Sequence, residues 1–293
     1  MAIARAGRAA ASSKWHESAT EGVLVAIARA GRAGAGAGAV DPRVSPTPPP
    51  GSATMAVMSN DALVGWKRLP PGDATKSLGP VADVQYGPDV VTESELRLLG
   101  NLEGKRVLEL GCGAGQSLVC LSKKGAHTIG LDFDSMQLAA AKRLADAEGV
   151  RVELHQGDLA DLAFMRGDSV DLVFSAYALG FVEDLNRVFR QVHRVLKEGA
   201  PIVFSLPHPV YDLVDHHGQA LVIRRSYFDH TPLADGFHHT VSDLFTGLSR
   251  AKFRVDVVLE PEPSIEGNRS PFWDEAARWV PRTLVIRARK EGI

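Results

Sequence analysis

The stretch Glu109-Leu110-Gly111-Cys112-Gly113-Ala114-Gly115-Gln116 connects a short apolar run, 105–110, to a run with helical character, 117–124. Glycine at such a strand-to-helix bend lets the backbone turn tightly and lets a ligand approach without meeting a Cβ atom. The N–H groups at the start of the helix suit an anionic or strongly polar ligand group. The stretch therefore predicts a β-strand, a ligand-binding glycine loop and a helix in direct succession.

Strand and helix patterns alternate on both sides of the glycine loop. The clearest helix follows the fourth expected strand, where apolar residues from Leu185 to Leu196 recur at helical spacing and form one stripe. Strands separated by helices favour a parallel, doubly wound sheet with right-handed crossovers. The strands expected in this part of the chain are 105–110, 127–131, 150–155, 169–175 and 201–206.

Both ends of this region depart from the alternation. Near the C-terminus, 253–259 and 283–288 are expected to be strands without a clear helix between them, which predicts an antiparallel hairpin at one sheet edge. Before the first strand, residues 92–95 (TESE) have the spacing of a capping box and predict a helix that reaches Leu99. The predicted fold is a Rossmann-like, doubly wound α/β fold with a mostly parallel seven-stranded sheet, an antiparallel C-terminal hairpin and an insertion after the fifth strand. We call this insertion, 207–250, the lid segment.

The glycine loop does not match the fingerprint of dinucleotide-binding enzymes. That fingerprint reads GxGxxG or GxGxxA at the same bend. Counted from Gly111 the last position is Gln116, and counted from Gly113 it is Leu118. Neither residue fits. An NAD(P)-dependent oxidoreductase on a similar fold is therefore kept only as an alternative.

Acidic residues follow the next two predicted strands. Asp132 lies 21 residues after Gly111, and Asp158 follows the third strand. The carboxyl ends of parallel strands meet at one edge of a sheet, so both side chains are expected beside the glycine loop. A carboxylate at Asp132 can accept hydrogen bonds from both hydroxyls of a ribose. The spacing therefore indicates a nucleoside-containing ligand.

The loop resembles motif I of the class I S-adenosylmethionine-dependent methyltransferases, in which GxGxG follows an acidic residue, here Glu109. The resemblance runs from about Gly65 to Lys290 and points to the methyltransferase type 11 group of small-molecule enzymes. It implies S-adenosylmethionine as the cofactor, with Asp158 and the Leu159 N–H at the adenine and Ser175 at the methionine end. The residues that it implies for cofactor binding are Glu109, Gly111, Cys112, Gly113, Gly115, Asp132, Phe133, Asp158, Leu159, Ser175 and Tyr86.

Two aromatic residues have two interpretations each. Phe133 follows Asp132 and either packs on the adenine face or belongs to the core. Tyr86 lies before the first predicted helix, in a region that often closes over the cofactor in this family. It either covers the methyl donor or is an ordinary interfacial tyrosine.

Methyl transfer from a sulfonium is an in-line displacement, so the protein mainly positions the reactants and excludes water. A base is needed only where the acceptor has a proton to lose. His208 is the predicted catalytic residue, as base or substrate-orienting group, because it follows the fifth strand, where reacting groups gather. His238 and His239 either act on the acceptor side or pack on the lid segment. No metal is predicted, because the lid segment lacks the fixed spacing of metal ligands.

The composition is that of an ordinary globular protein with an unusual beginning. The 293 residues carry a formal net charge of −2, and no apolar run approaches the roughly 20 residues that span a bilayer. Two cysteines fit a reducing cytoplasm better than a disulfide scaffold. The first 54 residues carry six Lys/Arg and three Asp/Glu among many Ala, Gly and Pro, and are predicted to be disordered. We favour a non-functional extension over a transit peptide for them.

The predicted function is methyl transfer to a small-molecule acceptor by a monomer or homodimer whose catalytic domain is 55–293. That region carries a net charge of −5, which opposes binding to nucleic acid. The Asn/Asp-Pro-Pro-aromatic motif of amino-nitrogen methyltransferases is also absent after the fourth strand, where 175–178 reads SAYA. A catalytically silent protein that only binds the cofactor is the second alternative.

Overall fold

The computed structural model describes residues 82–217, 220–233, 236–263, 273 and 275–292. The strands are β1 Arg106–Leu110, β2 His127–Asp132, β3 Val152–Gln156, β4 Leu172–Ala176, β5 Pro201–Pro207, β6 Val214–His217, β7 Ala220–Ile223, β8 Phe253–Leu259 and β9 Thr283–Lys290. The helices are α1 Glu93–Leu96, α2 Gln116–Lys123, α3 Ser135–Ala147, α4 Leu185–Val195 and α5 Val241–Arg250. The predicted extension, 1–54, lies outside the described residues and stays a prediction.

Seven strands form one sheet in the order β3-β2-β1-β4-β5-β9-β8. The first five strands in this order pair in parallel, and β9 pairs antiparallel with both β5 and β8. The predicted Rossmann-like sheet with an antiparallel C-terminal hairpin is confirmed. The sheet order reverses at β1, which is where ligands bind in open α/β sheets.

Each face of the sheet buries its own apolar cluster. On one face, α4 and α5 cover strand residues such as Val173 and Phe204. On the other face, α2 and the segment before β1 cover Val107 and Phe174. Because both faces are covered, the central strands are apolar along nearly their whole length. The edge formed by the strand ends is therefore where polar groups can gather.

The α4 helix forms where the apolar stripe predicts it. Its buried residues are Leu185, Val188, Phe189, Val192 and Val195. Burying a side chain of this size stabilises a fold by about 1.5–3 kcal/mol. The helix therefore holds the connection between β4 and β5 firmly against the sheet.

Two strands begin later than predicted, because the preceding residues pair with helix ends. The Val150 N–H donates to the carbonyl of Ala145 in α3, so β3 starts two residues further on. The Ser169 N–H donates to the carbonyl of Val195 in α4, and β4 starts at Leu172. Periodicity alone does not reveal these hydrogen bonds, which keep the first residues of each predicted strand out of the sheet.

The helix predicted from the capping-box pattern is only one turn long. α1 ends at Leu96, and Thr92 caps none of its N–H groups through its side chain. The Glu93 carboxylate instead turns inward and accepts hydrogen bonds from the N–H groups of Leu98 and Leu99. The predicted capping box is wrong, because the Thr92 hydroxyl lies 2.9 Å from Ser94 Oγ and caps no N–H group of the helix.

The lid segment contains the β6–β7 hairpin and ends in α5. Thr240 opens α5 with a capping box to Asp243. Leu244 and Leu248 of this helix are fully buried in the core, so the last part of the lid segment belongs to the body of the domain. In the described part of the chain, no helix is long and apolar enough to cross a membrane.

Candidate functional site

The glycine loop and the two predicted acids lie at the same edge of the sheet. Gly111 directly follows β1, Asp132 is the last residue of β2, and Asp158 comes two residues after β3. These three strands are parallel neighbours, with Leu110 opposite Leu131 in the register. The predicted juxtaposition of the strand ends is confirmed.

Hydrogen bonds connect the glycine loop to the end of β2. The N–H groups of Gly111 and Cys112 donate to the Leu131 carbonyl at 2.8 and 3.2 Å. The Gly113 N–H donates to Asp132 Oδ2 at 2.8 Å, and the Asp134 N–H donates to Oδ1 at 3.0 Å. Asp132 is only 7% exposed, so its carboxylate is held in one orientation beside the loop. A carboxylate has several acceptor positions, which suits two ribose hydroxyls.

The glycine loop needs a residue without a side chain at its first position. Gly111 has a φ of +71°, and a Cβ atom there would lie 2.0 Å from the Cβ of Ala178. Ala178 begins a short 3-10 helix, Ala178–Phe181, directly after β4. The loop after β1 and the turn after β4 therefore meet at van der Waals distance, and we call the loop, 111–115, together with this turn the cradle.

The residues predicted at the adenine are placed around the ends of β2 and β3. Phe133 is 53% exposed, which favours contact with a ligand over membership of the core. Asp158 Oδ1 accepts the Ala160 N–H at 2.8 Å, which fixes the Asp158 side chain at the start of the loop after β3. The Leu159 side chain is buried and reaches within 3.8 Å of the position that a Gly111 Cβ would take. The contact of these three residues with the adenine stays a prediction.

Ser175 has no hydroxyl proton left to donate to a ligand, because its side chain already donates within the sheet. Its hydroxyl is buried and donates to the Leu110 carbonyl at 2.8 Å, which ties β4 to the end of β1. The prediction that Ser175 contacts the methionine end is therefore corrected. Its side chain instead supports the residue that precedes the glycine loop.

Tyr177 directly follows β4 and is not among the predicted cofactor-binding residues. It has a φ of +63°, a left-handed conformation that is rare for a bulky side chain and tends to occur at functional sites. Its hydroxyl is 2.6 Å from Thr283 Oγ1, and its N–H donates to the Ser205 carbonyl. Burial raises the pKa of this phenol, so it stays neutral. These two bonds connect the residue after β4 to β5 and to the first residue of β9.

Tyr86 is a core residue. It is fully buried, its ring meets Phe174 edge-on with centroids 5.8 Å apart, and its hydroxyl donates to Glu93 Oε2 at 2.5 Å. Burial, together with the Glu93 charge, raises the pKa of Tyr86. The prediction that Tyr86 covers the methyl donor is wrong, because the ring and the hydroxyl are both used inside the core.

Glu109 and Cys112 are both buried at the end of β1. Glu109 is 1% exposed and shares the sheet face of Val107, two residues earlier on the strand. The Cys112 sulfur lies 2.8 Å from the position that a Cβ of Gly130 would take, so the thiol packs against β2. Cys112 therefore contributes its backbone to the loop and its side chain to the core.

His208 is buried with both ring nitrogens engaged. Its Nδ1 accepts the Val210 N–H at 3.1 Å, and its Nε2 lies 2.9 Å from Glu260 Oε1. Since an ionised carboxylate only accepts, Nε2 carries the proton. Burial lowers the pKa of His208 despite the Glu260 charge. The prediction of a base is wrong for this arrangement, because neither nitrogen is left to take a proton, and only the orienting role remains possible.

Two further histidines tie the lid segment together. His238 is buried, with Nδ1 at 3.3 Å from Asp212 Oδ2 and Nε2 at 3.0 Å from the Tyr227 carbonyl. His239 places Nε2 at 2.8 Å from the Val182 carbonyl, and burial lowers its pKa. The contacts of His238 stay within the lid segment, whereas His239 connects the segment to Val182 outside it. Across the described ranges, no group of three or more His, Cys, Asp or Glu side chains could hold a metal.

Sequence comparisons associate this geometry with methyl transfer. A family model described as a methyltransferase domain matches residues 107–199, from β1 to the turn before β5. An uncharacterised protein of Haemophilus influenzae is 25% identical over 219 residues, which are 67% of this chain and 85% of that protein. The ubiquinone biosynthesis O-methyltransferase of Pseudomonas syringae pv. tomato is 36% identical over 105 residues. That match covers 36% of this chain and only 45% of the enzyme.

Solved structures resemble this fold as well. An S-adenosylmethionine-dependent methyltransferase from Mesorhizobium loti has a TM-score of 0.58 and 31% identity, and the match covers 67% of this chain and 95% of that one. A protein of Listeria monocytogenes that is named as an S-adenosylmethionine-dependent methyltransferase has a TM-score of 0.56 and 28% identity over the same shares. In both cases nearly all of the other chain is covered.

Proposed function

We propose that this chain, which belongs to the class I S-adenosylmethionine-dependent methyltransferases, transfers the methyl group to a small-molecule acceptor. The single observation that carries the proposal is the hydrogen bond from the Gly113 N–H to Asp132 Oδ2. It joins the glycine loop to the acid at the end of the neighbouring strand. In our proposal a nucleoside lies beside the loop, with its two ribose hydroxyls on the Asp132 carboxylate.

The residues of the cradle fit S-adenosylmethionine. A Cβ atom at Gly111 would meet Ala178, so glycine is required there for the bend that brings the loop beside Asp132. In our proposal Asp132 accepts the ribose hydroxyls, Asp158 and the Leu159 N–H face the adenine edge, and Phe133 packs on the adenine. When bound, the cofactor supplies an activated methyl group on its sulfonium.

The chain's own residues then position the acceptor and exclude water. Tyr177 is fixed beyond the ends of β4 and β5, where the acceptor would meet the methyl group. The lid segment is held against the turn after β4, since the Phe237 N–H donates to the Gly180 carbonyl at 2.9 Å. A closed, dry site strengthens the electrostatic contacts of the reacting groups and needs no further catalytic group for an acceptor without a proton to lose.

A small acceptor is favoured by the charge of residues 55–293. The net charge of −5 over 55–293 opposes the approach of polyanions. The ubiquinone biosynthesis relatives act on oxygen, as their name says, but their match covers less than half of their own length. An oxygen acceptor is therefore the first class to test, beside amines, carboxylic acids and thiols.

The test is an assay of S-adenosylhomocysteine release over a panel of phenols, amines, carboxylic acids and thiols. We expect release that depends on one acceptor class and on S-adenosylmethionine. Binding of the cofactor without release from any acceptor would favour a catalytically silent protein. Binding of NADH in place of S-adenosylmethionine, seen by calorimetry, would favour the oxidoreductase and overturn the proposal.

A further inference from the structure

We infer that the side-chain amide of Gln116 binds the amino-acid end of S-adenosylmethionine; the inference rests on the proposed function. Gln116 is the first residue of α2, directly after the last glycine of the loop. It is 5% exposed, and within the part of the chain that the structure describes neither Nε2 nor Oε1 has a hydrogen-bond partner. Nothing in the resemblance or in the comparisons assigns a role to this residue.

A buried amide without partners is unusual in a folded protein. The large majority of buried side-chain polar atoms make at least one hydrogen bond, and each exception needs a physical explanation. Two polar atoms of the same side chain are unpaired here, one donor and one acceptor. A ligand that brings both an acceptor and a donor would satisfy them together.

The position of Gln116 places it on the side of Glu109. Cys120 follows Gln116 by one helical turn and lies on the same face of α2. Cys120 belongs to the apolar cluster that also contains Val107, on the sheet face that Glu109 shares. Burial raises the pKa of Cys120 to about 11, and the charge of Glu109 contributes. Gln116 and Glu109 therefore face one compartment at the end of β1.

The amino-acid end of the cofactor has the chemistry that this compartment requires. It carries an α-carboxylate and an α-ammonium group on one carbon. The Gln116 Nε2 can donate to the carboxylate, which the N–H groups of the first turn of α2 also attract. The ammonium group then lies near the Gln116 Oε1 and the negative charge of Glu109. The adenosine moiety is held elsewhere, by the residues after β2 and β3.

The test compares two ligands and two variants by isothermal titration calorimetry. S-Adenosylhomocysteine carries the amino-acid end, whereas 5′-methylthioadenosine lacks it and keeps the adenosine. We expect Gln116→Leu to weaken the binding of S-adenosylhomocysteine by about tenfold to a hundredfold, as for the loss of a hydrogen bond to a charged group. Binding of 5′-methylthioadenosine should change less than about twofold. Gln191→Leu, the same change on α4, should leave both ligands unaffected.

The unfolding temperature of the ligand-free protein is the second measurement. Replacing an unpaired buried amide with leucine should raise that temperature or leave it unchanged, whereas removal of a structural hydrogen bond would lower it. Equal losses for both ligands, no loss for either, or a lowered unfolding temperature would overturn the inference. If the wild-type protein binds neither ligand, the cofactor assignment fails, and this inference fails with it.

Discussion

The Asp132 carboxylate accepts the Gly113 N–H at 2.8 Å, across the boundary between two neighbouring strands. The acid that would bind the ribose is therefore already fixed relative to the loop that would bind the rest of the cofactor. Preorganisation of this kind reduces the entropy lost on binding. It also makes the loop and the acid a single unit, so that a change in either should be felt by the other.

The first prediction concerns the bend at Gly111. In Gly111→Ala the new Cβ would meet the Cβ of Ala178 at 2.0 Å, in addition to the strain of a φ of +71°. We expect a loss of about 3 kcal/mol or more in the free energy of unfolding, as for severe overpacking with backbone strain, together with loss of cofactor binding. Urea denaturation and calorimetry measure the two effects.

Gly199 provides a matched control for that substitution. Its φ is +72°, but no atom lies within 4 Å of a Cβ built there. Gly199→Ala should therefore show only the backbone cost, about 1–2 kcal/mol, with cofactor binding retained. Equal effects at both positions would contradict the close approach between the loop and Ala178.

The second prediction concerns the pH dependence of stability at His208. Burial lowers the pKa of this histidine below its unfolded value near 6.5. The unfolded chain then binds the proton more readily, so stability present above pH 6.5 is lost as the pH falls through the unfolded pKa toward the folded one. His208→Asn keeps an acceptor for the Val210 N–H and should flatten this part of the stability curve.

Denaturation midpoints between pH 8 and pH 5 test the point. At pH 8 the variant should be less stable by about 1 kcal/mol, because the bond to Glu260 is lost. His193 and His239, whose pKa values burial also lowers, should leave a residual slope in both proteins. Parallel curves for wild type and variant would show that His208 is not held neutral.

The third prediction separates the structural role of Tyr86 from a role in cofactor binding. Tyr86→Phe removes the hydroxyl that donates to the buried Glu93 carboxylate, so we expect a loss of about 2 kcal/mol in the free energy of unfolding. The affinity for S-adenosylmethionine should change less than about twofold, since the ring packs on Phe174 inside the core.

A double-mutant cycle with Glu93→Gln provides the control. The two substitutions act on one hydrogen bond, so their effects should not add, and the interaction energy should be about 1 kcal/mol or more. Additive effects on stability, or a large loss of cofactor affinity in Tyr86→Phe alone, would restore the interpretation in which Tyr86 covers the donor.

Periodicity and spacing were sufficient for the sheet and for the cofactor loop. The stripe from Leu185 to Leu196 and the acids after the second and third strands depend on local patterns, and parallel pairing then brings strand ends together. For this reason the sequence was sufficient to predict that Gly111 and Asp132 lie close together.

The errors have a different physical origin. The role of His208 is set by its contact with Glu260, which is distant in sequence. The role of Tyr86 is set by its burial and by its hydrogen bond to Glu93. The left-handed backbone of Tyr177 has no sequence signal at all, because glycine or asparagine would be expected there. In the sequence, Gln116 stands out only because it does not match the dinucleotide fingerprint. That its amide is buried and unpaired can be seen only in the structure.

Calorimetric titration of S-adenosylmethionine into the wild-type protein, Asp132→Asn and Asp134→Asn tests the central claim most directly. Asp134 caps α3, a position that tolerates asparagine, so this variant controls for the loss of a nearby charge. We predict one binding site in the wild-type protein, a loss of about tenfold to a hundredfold in Asp132→Asn, and less than about twofold in Asp134→Asn. Unchanged affinity in Asp132→Asn, or no binding to the wild-type protein, would contradict the account.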